Sequence, residues 1–140
     1  MKNKYLILFS SASVLLMSFC STRNLNEKYP YGYYSYVEHN KAGNLVSEGS
    51  LYIHKADSNT VRGNWGVIVY RDRVGRVTQN GYLLGRIEND SVFIDLDPDY
   101  SKTDWTLAGK LDGNVISGDW EWKRYNGAFH NGSFIATRQK

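Results

Sequence analysis

The sequence predicts an all-β protein: about eight antiparallel strands in an up-and-down meander that closes into a small barrel. Three observations lead there. From residue 29 onward, short runs alternate apolar and polar residues, rich in Val, Ile, Tyr, Phe and Trp, with no helical periodicity. Gly, Asn and Asp clusters join these runs over a few residues, which suits antiparallel neighbours, because parallel crossovers need a dozen or more. Each run also sorts its side chains into a dry face and a wet face. An even-numbered meander can hide the dry face and remove its unpaired edges by closing on itself.

Taken in order, the chain opens with a basic segment, Met1-Lys2-Asn3-Lys4, and an apolar run at 5–16 that is shorter than the roughly 20 residues a membrane span needs. Residues 1–19 therefore read as a secretory signal peptide. Its end, Leu16-Met17-Ser18-Phe19-Cys20, resembles the lipobox of bacterial lipoproteins. The resemblance implies that Cys20 becomes a lipidated N-terminus carrying a diacylglycerol and an amide-linked acyl chain. More than one chain is what stable anchoring requires. The expected location follows: the bacterial cell envelope, tethered to a membrane through lipid, with the domain facing the periplasm. The alternative is ordinary signal-peptidase cleavage after Ser18-Phe19-Cys20, a small-x-small pattern that would remove Cys20. A lone cysteine excludes an intramolecular disulfide in either case.

Loss of residues 1–19 takes Lys2 and Lys4 with it and lowers the formal charge from +3 to +1. That balance argues against a nucleic-acid partner, which would want a clustered basic face. Arg71, Arg73 and Arg76 lie close together, but Asp72 interrupts them and a solvated loop explains them. Residues 20–28 read as the lipidated cysteine and a polar tether, and 29–140 as a single domain.

Within that domain the expected strands are 31–38, 49–54, 61–70, 77–88, 91–97, 104–111, 114–123 and 132–138. The clearest hairpin spans 107–123. With Asp112-Gly113 as a type I′ turn, Leu111 would face Asn114, Gly109 Ile116, Leu107 Gly118 and Trp105 Trp120. An Asn89-Asp90 turn sets Ile87 opposite Val92, Gly85 opposite Ile94 and Leu83 opposite Leu96. Val61-Arg62-Gly63-Asn64-Trp65 and Ile116-Ser117-Gly118-Asp119-Trp120 repeat one pattern, apolar-polar-Gly-polar-Trp, with Gly and Trp inward. An inward Gly suits a tightly coiled strand, and beside a Trp it would let the indole lie over bare backbone.

These Gly-x-Trp strands, the meander and the final strand at 132–138 resemble the calycin type of barrel, the lipocalin and avidin-like families. The resemblance implies architecture only, since neither family's ligand residues can be transferred. Eight strands enclose an interior that is filled by side chains or holds one small ligand.

Catalytic and metal chemistry find little support. His39, His54 and His130 fall in a loop, a strand end and a loop without close pairing, and Asp95-Leu96-Asp97-Pro98-Asp99 lacks the Gly and distal carboxylate of a calcium loop. No nucleophile elbow or phosphate-binding glycine turn is present. The sequence thus nominates no catalytic residue, metal ligand or cofactor, and no enzyme is expected.

What remains is aromatic. Trp65, Trp105, Trp120 and Trp122 all fall on inward positions, either as core or as the lining of a cup for a small apolar or aromatic ligand. The other expectation is a non-catalytic scaffold with a filled barrel that offers Tyr33, Tyr34, Tyr36, Tyr82 and Phe93, or the loop at 125–131, to another envelope protein.

Overall fold

The computed structural model describes residues 29–56, 60–71, 75–99 and 103–140. The signal segment 1–19, Cys20 and the tether 20–28 lie outside the described residues. Eight strands follow in order: β1 Gly32–Asn40, β2 Leu45–Ala56, β3 Val61–Arg71, β4 Gly75–Glu88, β5 Ser91–Asp95, β6 Asp104–Asp112, β7 Val115–Lys123 and β8 Phe129–Arg138. Each pairs antiparallel with the next, and β8 returns to β1, so the sheet is a closed up-and-down barrel.

All eight expected strands are present. β2 and β8 begin earlier than the alternation suggested, at Leu45 and Phe129, whereas β5 ends at Asp95 rather than 97. The β4–β5 register is the expected one, with Ile87 opposite Val92 and Gly85 opposite Ile94. In the β6–β7 hairpin, however, Asp112 pairs with Val115 and the turn is Gly113-Asn114. Gly113 has φ +57° while Asn114 stays out of the positive region, as a type II′ turn with leading Gly requires. Leu107 therefore faces Trp120, and Trp105 faces Trp122. Because β7 moves by two residues, every side chain keeps its face.

The inward set forms a continuous apolar core that includes Leu51, Ile53, Leu83, Ile94, Leu107, Ile116 and Phe134. Outward positions carry exposed charges such as Arg62, Arg86, Lys110 and Asp119. This polarity is the reverse of a barrel that faces lipid with its outer wall.

Inward glycines make the tight coil possible. A Cβ on Gly63 would lie 2.1 Å from the Tyr52 carbonyl oxygen, and one on Gly118 would lie 2.0 Å from that of Ala108. These glycines admit the neighbouring strand's backbone, not the indole two residues along. The Trp65 ring instead covers Gly81, its cross-strand partner on β4, and meets the position of a Gly81 Cβ at 3.0–3.3 Å.

The two ends of the barrel differ. At the base, where β1 starts and β8 stops, the Arg138 guanidinium donates to the Tyr34 hydroxyl at 2.8 and 3.0 Å and to the Tyr29 carbonyl at 3.0 Å. The opposite end is the mouth, where the β1–β2, β3–β4, β5–β6 and β7–β8 connections gather.

A tryptophan-lined mouth as the candidate functional site

Strand parity brings all four tryptophans to the interior, and the register gathers them toward the mouth. Trp65 comes from the middle of β3, Trp105 from the start of β6, and Trp120 and Trp122 from the last half of β7. Trp65 and Trp105 meet edge to face with centroids 5.2 Å apart, and Trp105 stacks on Trp122 at 5.6 Å with 26° between planes. His130 extends the row, 6.0 Å from Trp122. Such geometries contribute about 0.5–1.5 kcal/mol per pair beyond burial. Trp120 sits deeper, fully buried in the core.

Three of the indole N–H groups are satisfied inside the protein: Trp65 donates to the Leu96 carbonyl at 2.6 Å, Trp105 to Glu38 at 2.8 Å and Trp120 to the His39 carbonyl at 2.9 Å. Their hydrogen bonding asks nothing of a ligand. Any ligand would meet the rings themselves, chiefly Trp122, which is only partly buried between Trp105 and Arg124.

Two clefts open at the mouth and share Trp122. The larger, about 640 Å³, has Trp120, Trp122, Tyr70 and Phe129 among its lining residues. The smaller, about 450 Å³, runs between Trp65, Trp105 and Trp122, with Gln79, Asp97 and Thr103 at its side. Both volumes fall in the range that small molecules occupy. Below the mouth the inward side chains gather into one continuous buried apolar cluster, and the clefts lie at the rim above it.

The sequence reading missed Glu38. It is 1% exposed, and its carboxylate accepts hydrogen bonds from the Tyr36 hydroxyl, from Ser47 Oγ at 2.6 Å and from the Trp105 indole. Burial pushes its pKa up, while the bonds from Ser47, Tyr36 and Trp105 pull it back down. The Tyr36 hydroxyl is pushed well above its usual range by its own burial and then by the adjacent carboxylate. Tyr34-x-Tyr36-x-Glu38 is an inward-facing triplet on β1. This corrects the expectation that Tyr34 and Tyr36 face outward, because both are buried. Tyr33, Tyr82 and Phe93 do lie outside, and Tyr33, 59% exposed, stacks on Tyr52 at 4.1 Å.

His54 lies near the end of β2 as expected, whereas His39 and His130 lie within β1 and β8 and not in loops. At the start of the β5–β6 connection, the Asp97 N–H donates to Asp95 Oδ1 at 2.8 Å, and Thr103 Oγ1 donates to Asp97 at 2.7 Å. Among the described residues, no group of three or more His, Cys, Asp or Glu is arranged to hold a metal ion.

No protein-family model and no curated protein matches the chain. Among solved structures it is similar to EF1p2_mFAP2b bound to DFHBI, with 16% identity and a TM-score of 0.60 over 79% of this chain and 94% of that one. It is also similar to a redesigned β-barrel, b11L5F_LGL, with 12% identity and a TM-score of 0.50 over 79% and 92% of the two chains. At these identities the likeness shows a shared barrel fold and transfers no residue.

Proposed function

We propose that this chain is a membrane-tethered binding protein that holds a small apolar or aromatic molecule in the cup at its barrel mouth. One observation carries the proposal: Trp65, Trp105 and Trp122 form a contiguous aromatic row bordering two clefts of ligand size, with the outermost ring incompletely covered. A core built only for packing would bury that ring, because each aromatic withdrawn from water contributes several kcal/mol. The similarity to a barrel solved with DFHBI bound supports the view that such a frame can carry a ligand.

Binding against Trp122 should quench and shift tryptophan emission and should raise the melting temperature. In a screen of aromatic metabolites against the full-length chain, at least one compound should do both, and Trp122→Ala should weaken it about tenfold or more. Silence across a broad library, or an unchanged affinity in Trp122→Ala, would contradict the cup.

The tether is proposed from the lipobox-like Leu16–Cys20 segment and the polar stretch that follows it. It would hold the barrel at an envelope membrane, as a binding protein that retains its ligand near the surface requires. Wild-type chain should then sediment with membranes and Cys20→Ser should not. Equal sedimentation of both would remove the anchor and leave the cup untouched.

A further inference from the structure

We infer that the larger cleft selects aromatic or apolar molecules that carry an anionic group such as a carboxylate, an inference that rests on the ligand-binding reading above and adds a charge preference to it. Lys41, Arg124 and His130 line this cleft together with its aromatic residues, and among the described residues no Asp or Glu does.

Two turns of the same geometry fix the backbone beneath the two permanent cations. In the β1–β2 turn, Asn40 N–H donates to the Asn44 carbonyl and Gly43 N–H to the Asn40 carbonyl, both at 2.9 Å, with Gly43 at φ +81°. The β7–β8 turn repeats this: Arg124 N–H donates to the Ala128 carbonyl and Gly127 N–H to the Arg124 carbonyl, again at 2.9 Å, with Gly127 at φ +79°. Side chains brace both, since Asn40 Oδ1 accepts from Ala42 and Asn44, and Asn126 Oδ1 accepts from Ala128. A type I turn followed by a left-handed Gly is a stiff hairpin connection. Lys41 and Arg124 are therefore presented from ordered turns.

Among the described residues, no ion pair neutralises their charge. The ion pairs among the described residues join Arg86 to Glu88 and Lys123 to Glu121 and leave Lys41 and Arg124 out. The Arg124 guanidinium instead lies 4.2 Å from the centre of the Trp122 ring. The ring attracts its charge there, and its N–H donors suit a carboxylate.

Among the described residues, the nearby carboxylates border this cleft without lining it. Glu48 accepts from the Tyr70 hydroxyl, Asp119 and Glu121 border a separate outer groove that Lys41 shares, and Glu38 lies buried and lines neither cleft. Asp97 borders the smaller cleft across Trp122. A ring held in the larger cleft beside Trp122 would thus have cations on one side and an acid on the other, which orients an anionic substituent toward Arg124 and Lys41.

Three probes with one ring system test this by calorimetry on the full-length chain at low salt: 2-naphthoate, 2-naphthalenemethanol and 2-naphthylmethylamine. The carboxylate should bind about three- to tenfold tighter than the alcohol, and the amine should bind weakest. The advantage should shrink as salt is added and collapse in the double variant Lys41→Gln, Arg124→Gln. If alcohol and amine bind as tightly as the carboxylate, the charge preference is wrong while the cup stands. A preference that survives the double variant, or resists salt, overturns the assignment to these two cations. If none of the three binds, the cup itself falls.

Discussion

Glu38 shows how one residue can govern a site. Its carboxylate holds the Trp105 indole, the Tyr36 hydroxyl and the Ser47 hydroxyl together beneath the mouth. Gln can keep that arrangement, accepting from Trp105 and Tyr36 through its carbonyl and donating to Ser47. Leu cannot, and would strand three buried donors, so Glu38→Leu should be about 2–3 kcal/mol less stable than Glu38→Gln in urea unfolding. The pH dependence has a definite sign. The native pKa is raised above the ordinary value of 4.5, so between the two values the folded state binds a proton that the unfolded state has released. The stability of wild type relative to Glu38→Gln should therefore fall as pH rises through that window, and a relative stability that rises with pH would contradict the assignment. The sequence hid this residue because a Glu at the end of an alternating run reads as solvent-facing. Only the parity of Tyr34 and Tyr36, both apolar enough to be core, could have placed Glu38 inside. The tryptophans were legible for the opposite reason: an indole on the dry face of a strand has few places to go but inward.

At the scale of strands and turns, alternation and turn residues revealed all eight elements, and parity assigned the faces of β2 to β7 even where the register was off, but not that of β1, whose Tyr34 and Tyr36 turn inward. The β6–β7 turn was misplaced because Asp-Gly and Gly-Asn overlap in Asp112-Gly113-Asn114, and both are hairpin dipeptides. Sequence spacing could not choose between them; the pairing of Trp105 with Trp122 does. The ends of β2 and β8 were underestimated because their extensions, 45–48 and 129–131, mix polar residues with apolar ones. The glycines inside strands carry the curvature, and their environments predict unequal tolerance. Gly63→Ala would drive a Cβ into the Tyr52 carbonyl, whereas Gly66, on the same strand but facing out, has its nearest atom at 3.9 Å. Thermal unfolding should show Gly63→Ala destabilised by about 1–3 kcal/mol and Gly66→Ala within about 0.5 kcal/mol of wild type. Equal effects would mean that the coil does not depend on bare backbone at position 63.

For the whole molecule, closure through β1 and β8 divides the labour between two ends. The base is braced by Arg138, Tyr34 and the Tyr29 carbonyl, and at the mouth the turns and the partly buried Trp122 are the parts least committed to the core. The barrel was readable from the chain because a meander with one dry face has to close. The cup was not, because a filled barrel and a hollow one share the same alternation and differ only in how side chains reach across the interior. The most direct test of the central claim is native mass spectrometry of the full-length chain purified from cells in mild detergent. A small-molecule adduct on wild type that is lost in Trp122→Ala is the predicted result. A bare mass for wild type that no aromatic compound in a broad library shifts would contradict a ligand-binding mouth.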